Sequence, residues 1–522
     1  MSWIFDLTIS FTTLLFLIFT TALLLLLKVF KKNHKLRPPP SPFTLPIIGH
    51  LHLLGPLIHQ SFHRLSTLYG PLIQLKIGYI PCVVASTPEL AKEFLKTHEL
   101  AFSSRKHSAA IKLLTYDVSF AFSPYGPYWK FIKKTCTFEL LGTRNMNHFL
   151  PIRTNEIRRF LQVMLEKAKA SEGVNVTEEL IKLTNNVISQ MMFSTRSSGT
   201  EGEAEEMRTL VREVTQIFGE FNVSDFIKLC KNIDIGGFKK RSKDIQKRYD
   251  ALLEKIISER ESERARRGKN RETLGEEGGK DFLDMMLDTM EDGKCEVEIT
   301  RDHIKALVLD FLTAATDTTA IAVEWTLAEL ISNPEVFDKA REEIDKVVGK
   351  HRLVTELDTP NLPYIHAIIK ESFRLHPPIP LLIRKSVQDC TVGGYHISAN
   401  TILFVNIWAI GRNPKYWESP MKFWPERFLE SNGPGPVGSM DIKGHHYELL
   451  PFGSGRRGCP GMALAMQELP VVLAAMIQCF NWKPVTLDGE ELDMSERPGL
   501  TAPRAHDLVC VPSARINSFD NF

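Results

Sequence analysis

The stretch Pro451-Phe452-Gly453-Ser454-Gly455-Arg456-Arg457-Gly458-Cys459-Pro460-Gly461 constrains this chain more than any other. It sets one cysteine between small residues and prolines, directly after two arginines. Glycine at 453, 455, 458 and 461 lets the backbone turn tightly and come close to a flat ligand. Backbone N–H groups in such a loop can point at a sulfur, and nearby positive charge favours the thiolate. A thiolate held this way is a good axial ligand for a haem iron, and Arg457 is placed to neutralise a haem propionate. A Gly-rich surface loop with a reduced cysteine is the plainer reading, so the rest of the chain has to supply the partners.

With 522 residues, 43% hydrophobic and 24% charged, the chain is long enough and apolar enough for a large packed core. A net charge of +2 and the lack of a long basic face interleaved with aromatics exclude nucleic acid as a partner. The cysteines at 82, 136, 230, 295, 390, 459, 479 and 510 form no C-x-x-C pair, which argues against zinc and secreted disulfide frameworks and fits a reducing compartment.

Residues 7–27 carry no charge, and a helix of about 20 such residues spans a bilayer core. Lys28, Lys31, Lys32, Lys35 and Arg37 follow at once, against Asp6 alone on the other side. This asymmetry keeps the following chain cytosolic, and no small-x-small cleavage site follows the run. We read 1–30 as a membrane anchor in contact with lipid, 31–50 as a basic and proline-rich hinge (Pro38-Pro39-Pro40-Ser41-Pro42), and 51–522 as the catalytic domain. Strands are expected at 72–77 and 82–85 and a helix at 88–97. Residues 105–124 read as a loop over a binding site, 239–260 as a charged helix and 264–280 as a mobile surface loop. Trp129 and Lys133, four apart on a helix, offer an indole N–H and an ammonium to a propionate, or else a core anchor and a solvated lysine.

Residues 301–333 form the longest helical candidate, apolar on several faces and therefore buried. In its middle stands Ala314-Ala315-Thr316-Asp317-Thr318-Thr319. Threonines bonding back to their own helix are the modest explanation of so polar a centre; delivery of protons to a reacting group is the sharp one. Glu371 and Arg374 fall at i, i+3 on a helix that stops before Pro377-Pro378, and Pro425-Glu426-Arg427-Phe428 lies beyond. Strands are expected over 387–404, and a helix over 464–480.

The proline hinge, W-x-x-x-basic, acid–threonine helix, E-x-x-R, P-E-R-F and cysteine loop, in this order over the whole chain, resemble a membrane-bound plant cytochrome P-450. The resemblance implies a mainly helical triangular prism with small β-sheets, and haem b between two central helices. It implies Cys459 as axial ligand of the iron, Trp129, Lys133, Arg384 and Arg457 as propionate contacts, Asp317 and Thr318 as the acid–alcohol pair serving O2, and Glu371, Arg374 and Arg427 as a structural triad. Electrons come from NADPH through a separate NADPH–cytochrome P-450 reductase, for which Lys130, Lys134 and Arg456 offer a basic docking face. The expected location is the endoplasmic reticulum membrane, single-pass, with a cytosolic catalytic domain. Lys133, Ala315 and Trp424 depart from residues usual in the family.

The stretches 46–56, 218–226 and 497–506 are similar to flavone synthase II and flavanone 2-hydroxylase. Isoflavonoid synthases, which migrate an aryl ring, typically carry lysine at the position of Ile383 and serine at that of Thr318. The implied reaction converts a flavanone such as naringenin to a flavone by C2–C3 desaturation, with 2-hydroxylation as the alternative outcome. Ala314, Ala315, Ile379, Leu382, Leu500 and Thr501 match substrate-contact segments, although each is equally explained by core packing. A non-catalytic haem-binding membrane protein is the alternative of another class, against which Asp317-Thr318 speaks.

Overall fold

The computed structural model describes Thr20 and residues 37–106, 108–194, 201–231, 233–269, 280–292, 296–429, 438–486 and 491–516. Apart from Thr20, the apolar run read as an anchor lies outside the described residues, as does Cys295. The elements that position the site are α1 (Ile58–Tyr69), β1 (Leu72–Ile77), β2 (Ile80–Ala85), α2 (Pro127–Thr135), α3 (Val176–Phe193), α4 (Glu201–Gly219), α5 (Arg301–Ser332), α6 (Pro363–Leu375), β3 (Leu381–Lys385), β4 (Ile402–Asn406) and α7 (Met462–Cys479).

The axis is α5, about 48 Å of helix at 1.5 Å per residue. It starts at Thr300, whose amide donates to His303 Nδ1 at 3.3 Å. Its apolar residues face all round, and Leu307, Leu309, Leu312, Val323, Trp325 and Leu327 are all buried. Both α5 and α7 are long and apolar enough to cross a membrane, but most of each is buried within the protein, so they are core helices. Threonines join α5 to its neighbours: Thr184 on α3 donates to the Thr316 carbonyl (2.9 Å), and Thr326 pairs with Ser372 on α6 (2.8 Å).

The four-stranded sheet runs β1-β2-β4-β3, with β2 and β4 parallel and the other pairs antiparallel. Pairing of Leu382 with Val405 and Arg384 with Leu403 places these four on one face. Leu381, Ile383 and Phe404 lie on the other, packed against Phe62 and Ile73. Two smaller sheets complete the fold: Val174–Asn175 with Val509–Ala514 and Phe480–Pro484, and the hairpin Cys390–Val392/Tyr395–Ile397. The proline-rich segment is laid along the first sheet, where Gln74 donates its amide to Pro40 and Gly49 bridges Ile77.

Two expectations need correction. The loop 105–124 contains the helix Ala109–Leu114, too short for a visible period; Ser108 caps it, and the Asp225 carboxylate accepts from the Ala109 amide at 3.1 Å. The charged helix runs Phe238–Lys269, well into the segment read as a loop. Arg264 anchors that extension on Asp288 (2.5 Å) and the Asp284 carbonyl (3.0 Å), a tie no apolar stripe would announce.

Glu371, Arg374 and Arg427 meet in the interior. Arg374 forks onto Glu371 with two bonds of 2.7 Å and reaches the carbonyls of Gly411, Pro420 and Lys422. Arg427 Nε adds a bond of 3.2 Å, and the Trp424 amide one of 2.8 Å. Trp424 also lies 4.9 Å under the Arg427 guanidinium, so an aromatic face packs against this arginine. Glu371→Gln keeps the shape and removes the charge, stranding two buried guanidinia. We expect a loss of about 3–5 kcal/mol, read as a lower unfolding midpoint and reduced holoprotein yield.

Candidate active site

The cysteine loop is built by local turns. Gly453 and Gly455 take φ of 71° and 70°, a left-handed backbone that favours glycine, and the Cys459 amide returns to the Phe452 carbonyl at 2.9 Å. Cys459 is accessible although protein atoms surround it closely, so its sulfur opens onto an internal space. Burial pushes the thiol's pKa up; the amides of Gly461 and Met462 and the charges of Lys133 and Arg105 pull the other way. Burial outweighs these contributions, while the backbone amides and the positive charge of Lys133 and Arg105 act in the expected direction. Lys133 approaches from α2 and donates to the Gly458 carbonyl at 3.1 Å.

Beside the loop lies a cluster of guanidinia. Arg457 donates to the carbonyls of Ser103 (2.8 Å) and Ser123, and stands 4.5 Å over the Trp129 ring. Arg384, on the Leu382 face of β3, donates to the Arg457 carbonyl at 3.3 Å. Arg105 donates to the Ala121 carbonyl at 2.9 Å. Burial, then mutual repulsion, lowers the pKa of Arg384 far below its ordinary value and that of Arg457 to about 9. Arg105 Nε and Arg457 Nη1 are buried without a partner. Unanswered N–H groups on crowded cations call for an anion there. A thiol opening onto an internal space and a cationic rim fit a haem with its two propionates.

The middle of α5 shows the complementary surface. Ala314 is exposed and Ala315, Asp317 and Thr318 half-buried, between the buried Leu312 and Thr319. Accessible residues inside a buried helix mark a space alongside it. Thr318 donates to the Ala314 carbonyl at 2.7 Å, the modest back-bond, which leaves its oxygen lone pairs free to accept. Asp317 lines a small cavity with Ile181, Asn185, Arg208, Val211, Arg212 and Thr316. Burial raises its pKa to about 6, against the pull of Arg212 and Arg497.

Ile379 and Leu500 are half-buried, and Leu382 and Thr501 buried. The Ala502 amide bonds to the Pro378 carbonyl at 2.9 Å, which brings the segments of Thr501 and Ile379 together. Leu382 stands against Gly453 of the cysteine loop. Ile383, by contrast, packs on the far face of the sheet.

Sequence reasoning missed Arg105 and Asp310. Asp310 is buried, accepts from Ser119 Oγ at 2.8 and 2.9 Å and from the Ala121 amide at 3.2 Å, and faces Arg105. A signal was present: a second carboxylate in an apolar helix, two turns before Asp317.

The family model described as Cytochrome P450 matches residues 38–511. The chain belongs to the cytochrome P-450 family. It is 64% identical over 513 residues to Cytochrome P450 93B2 of Gerbera hybrida, covering 98% of each chain. It is 59% identical to Cytochrome P450 93B16 of Glycine max (96% of this chain, 97% of that one) and 50% identical to a 2-hydroxyisoflavanone synthase of Glycine max (92% of each). A zebra fish cytochrome P450 solved with progesterone matches 87% of this chain and 99% of its own at a TM-score of 0.72 and 26% identity. This cytochrome P-450 is accordingly a haem-thiolate monooxygenase of mainly helical fold, using O2 and electrons from a separate P-450 reductase. Arg105→Gln should release haem to apomyoglobin several-fold faster than the unaltered enzyme; an unchanged rate would remove Arg105 from the propionate contacts.

Proposed function

We propose that this cytochrome P-450 is a flavone synthase of type II, converting flavanones such as naringenin to flavones. The reading is carried by one observation. Two stretches that resemble flavone synthase II and flavanone 2-hydroxylase, 218–226 and 497–506, are in backbone contact at Gly219 and Leu500. The higher identity to the two 93B relatives than to the 2-hydroxyisoflavanone synthase supports it.

The balanced reaction is flavanone + O2 + NADPH + H+ giving flavone + NADP+ + 2 H2O. C2 and C3 each lose one hydrogen, and both oxygen atoms leave as water. Stopping after one hydrogen and returning oxygen to C2 gives 2-hydroxyflavanone and one water. Cys459 would hold the haem, with Trp129, Lys133, Arg105, Arg384 and Arg457 as the residues that would meet its propionates, and the bound haem would supply the O2-activating chemistry. Ala314, Ala315, Ile379, Leu382, Leu500 and Thr501 offer a mostly apolar slot in which a flat substrate is oriented and water excluded. Asp317, with its pKa raised to about 6, loses its proton more readily as pH rises through that value, so it can pass protons near neutrality from the small cavity it shares with Arg208 and Arg212. Thr318 donates to the Ala314 carbonyl and so keeps its oxygen lone pairs able to accept a hydrogen bond from a bound group.

Lys130, Lys134 and Arg456 are exposed, with Lys130 and Arg456 both over the Tyr125 ring; Arg456 is paired with Glu99, so the two lysines supply the net positive charge that suits this face to an acidic reductase. The expected site of action is the cytosolic side of the endoplasmic reticulum. The apolar run at 7–27 supports it, and so do the exposed Phe43, Ile47, Tyr79 and Phe221 around the start of the domain.

Microsomes holding the full chain and a reductase, given naringenin and NADPH, should yield the flavone; a 2-hydroxyflavanone as sole product would reassign the chemistry. Thr318→Ala should still consume NADPH but yield about ten-fold less product, releasing peroxide in its place; tight coupling in that variant would refute the role of Thr318.

A further inference from the structure

Gly219 closes α4 without a left-handed backbone, so no turn requires a glycine there. The requirement comes from contact. A methyl group on Gly219 would overlap the Leu500 amide nitrogen and stand 3.1 Å from the Gly499 carbonyl carbon. Both are backbone atoms, which cannot swing aside as the end of a side chain can.

Neither side of this contact is free to retreat. Leu500 sits in a hairpin closed by Arg497–Pro503 and Ala505–Ser495 backbone bonds of 2.9 and 2.8 Å. At its base, Glu496 accepts from Trp408 Nε1 (2.9 Å) and Gln60 (3.1 Å) and pairs with His59 (2.6 Å). From behind, the Ala502 carbonyl accepts from Trp325 Nε1 on α5 at 2.9 Å. On the other side, the Phe218 ring meets Phe122 edge-on at 6.0 Å. The chain after Gly219 is pinned again where the Phe226 carbonyl presses on Gly78 and accepts from the Tyr79 amide at 3.0 Å. A group forced between Gly219 and Leu500 therefore shifts Leu500 and its neighbour Thr501, the two residues of this hairpin assigned above to the substrate slot.

We propose that the backbone contact of Gly219 with Leu500 is a specificity-determining feature of this enzyme. It fixes the height of the hairpin over the slot, and with it which of C2 and C3 is presented for the second hydrogen removal. This rests on the flavanone reading above. Gly219 acts as a positioning residue through Leu500.

The test compares full-length Gly219→Ala with the unaltered enzyme in microsomes containing reductase. Three quantities are read: the carbon monoxide spectrum of the reduced haem, the naringenin-induced Soret shift, and the ratio of flavone to 2-hydroxyflavanone. We expect an unchanged carbon monoxide spectrum, naringenin binding weakened about ten-fold, and a shifted product ratio. Unchanged binding and ratio in Gly219→Ala would overturn the inference. If Gly219→Ala yields no intact haem spectrum, Phe218→Ala is measured in the same three ways: weakened binding with a shifted ratio supports the inference, and no change in either overturns it. Failure of the unaltered enzyme to bind or convert naringenin would instead refute the flavanone reading, and this inference with it.

Discussion

A thiol and several guanidinia gathered in one interior need an answering charge. Arg105, Arg384 and Arg457 crowd together, each weakened by burial, with N–H groups on two of them unsatisfied. Asp310 and Glu99 answer part of this charge; a haem with its iron on Cys459 and its two propionates at the rim would answer the rest. The surrounding fold serves to hold that imbalance. The sheet sends Arg384 inward by its register, α2 brings Lys133 and Trp129, and the turns at Gly453 and Gly455 place Cys459.

Holding charges in place takes a second network that touches no ligand. Glu371 answers both Arg374 and Arg427, and Arg374 spends its remaining donors on three main-chain carbonyls. Those carbonyls belong to Gly411, Pro420 and Lys422, in the long segment between the sheet and the cysteine loop. Few regular elements lie in that stretch, so one guanidinium takes the place of a ladder of backbone bonds.

Much of this could be read from the chain. The strand at 72–77, the buried helix from Arg301 and the helix after Cys459 follow from apolar period and length, and Glu371 with Arg374 from spacing alone. The helix Ala109–Leu114 escaped because one and a half turns carry no period, and because its N-terminal amide is satisfied by Asp225, far away in sequence. Arg105 escaped for a related reason. Its role is set by what surrounds it, Asp310 and the Ala121 carbonyl, and no local pattern distinguishes it from a surface arginine. Gly219 is the extreme case, since its meaning lies in a backbone atom some 280 positions away.

Asp310 and Asp317 show how surroundings divide labour between like groups. They sit two turns apart on one helix, and burial raises both from an ordinary 3.8 to about 6. Since each pKa is higher folded than unfolded, the benefit to stability is full below about pH 4 and is lost as pH rises through 6. Near neutrality both are therefore a cost to the fold, and each needs its own justification. Asp310 has one in structure: two bonds from Ser119, one from Ala121 and the charge of Arg105 bind the loop over the site to α5. Asp317 feels the charges of Arg212 and Arg497 and shares a cavity with Arg208 and Arg212, but among the described residues no hydrogen bond fixes its proton. A carboxyl fully bonded to its neighbours can only hold, whereas one of the same raised pKa beside a cavity and without such bonds is free to exchange its proton. On the function proposed above, one helix would thus keep an anchor and a relay on the same side with the same residue type.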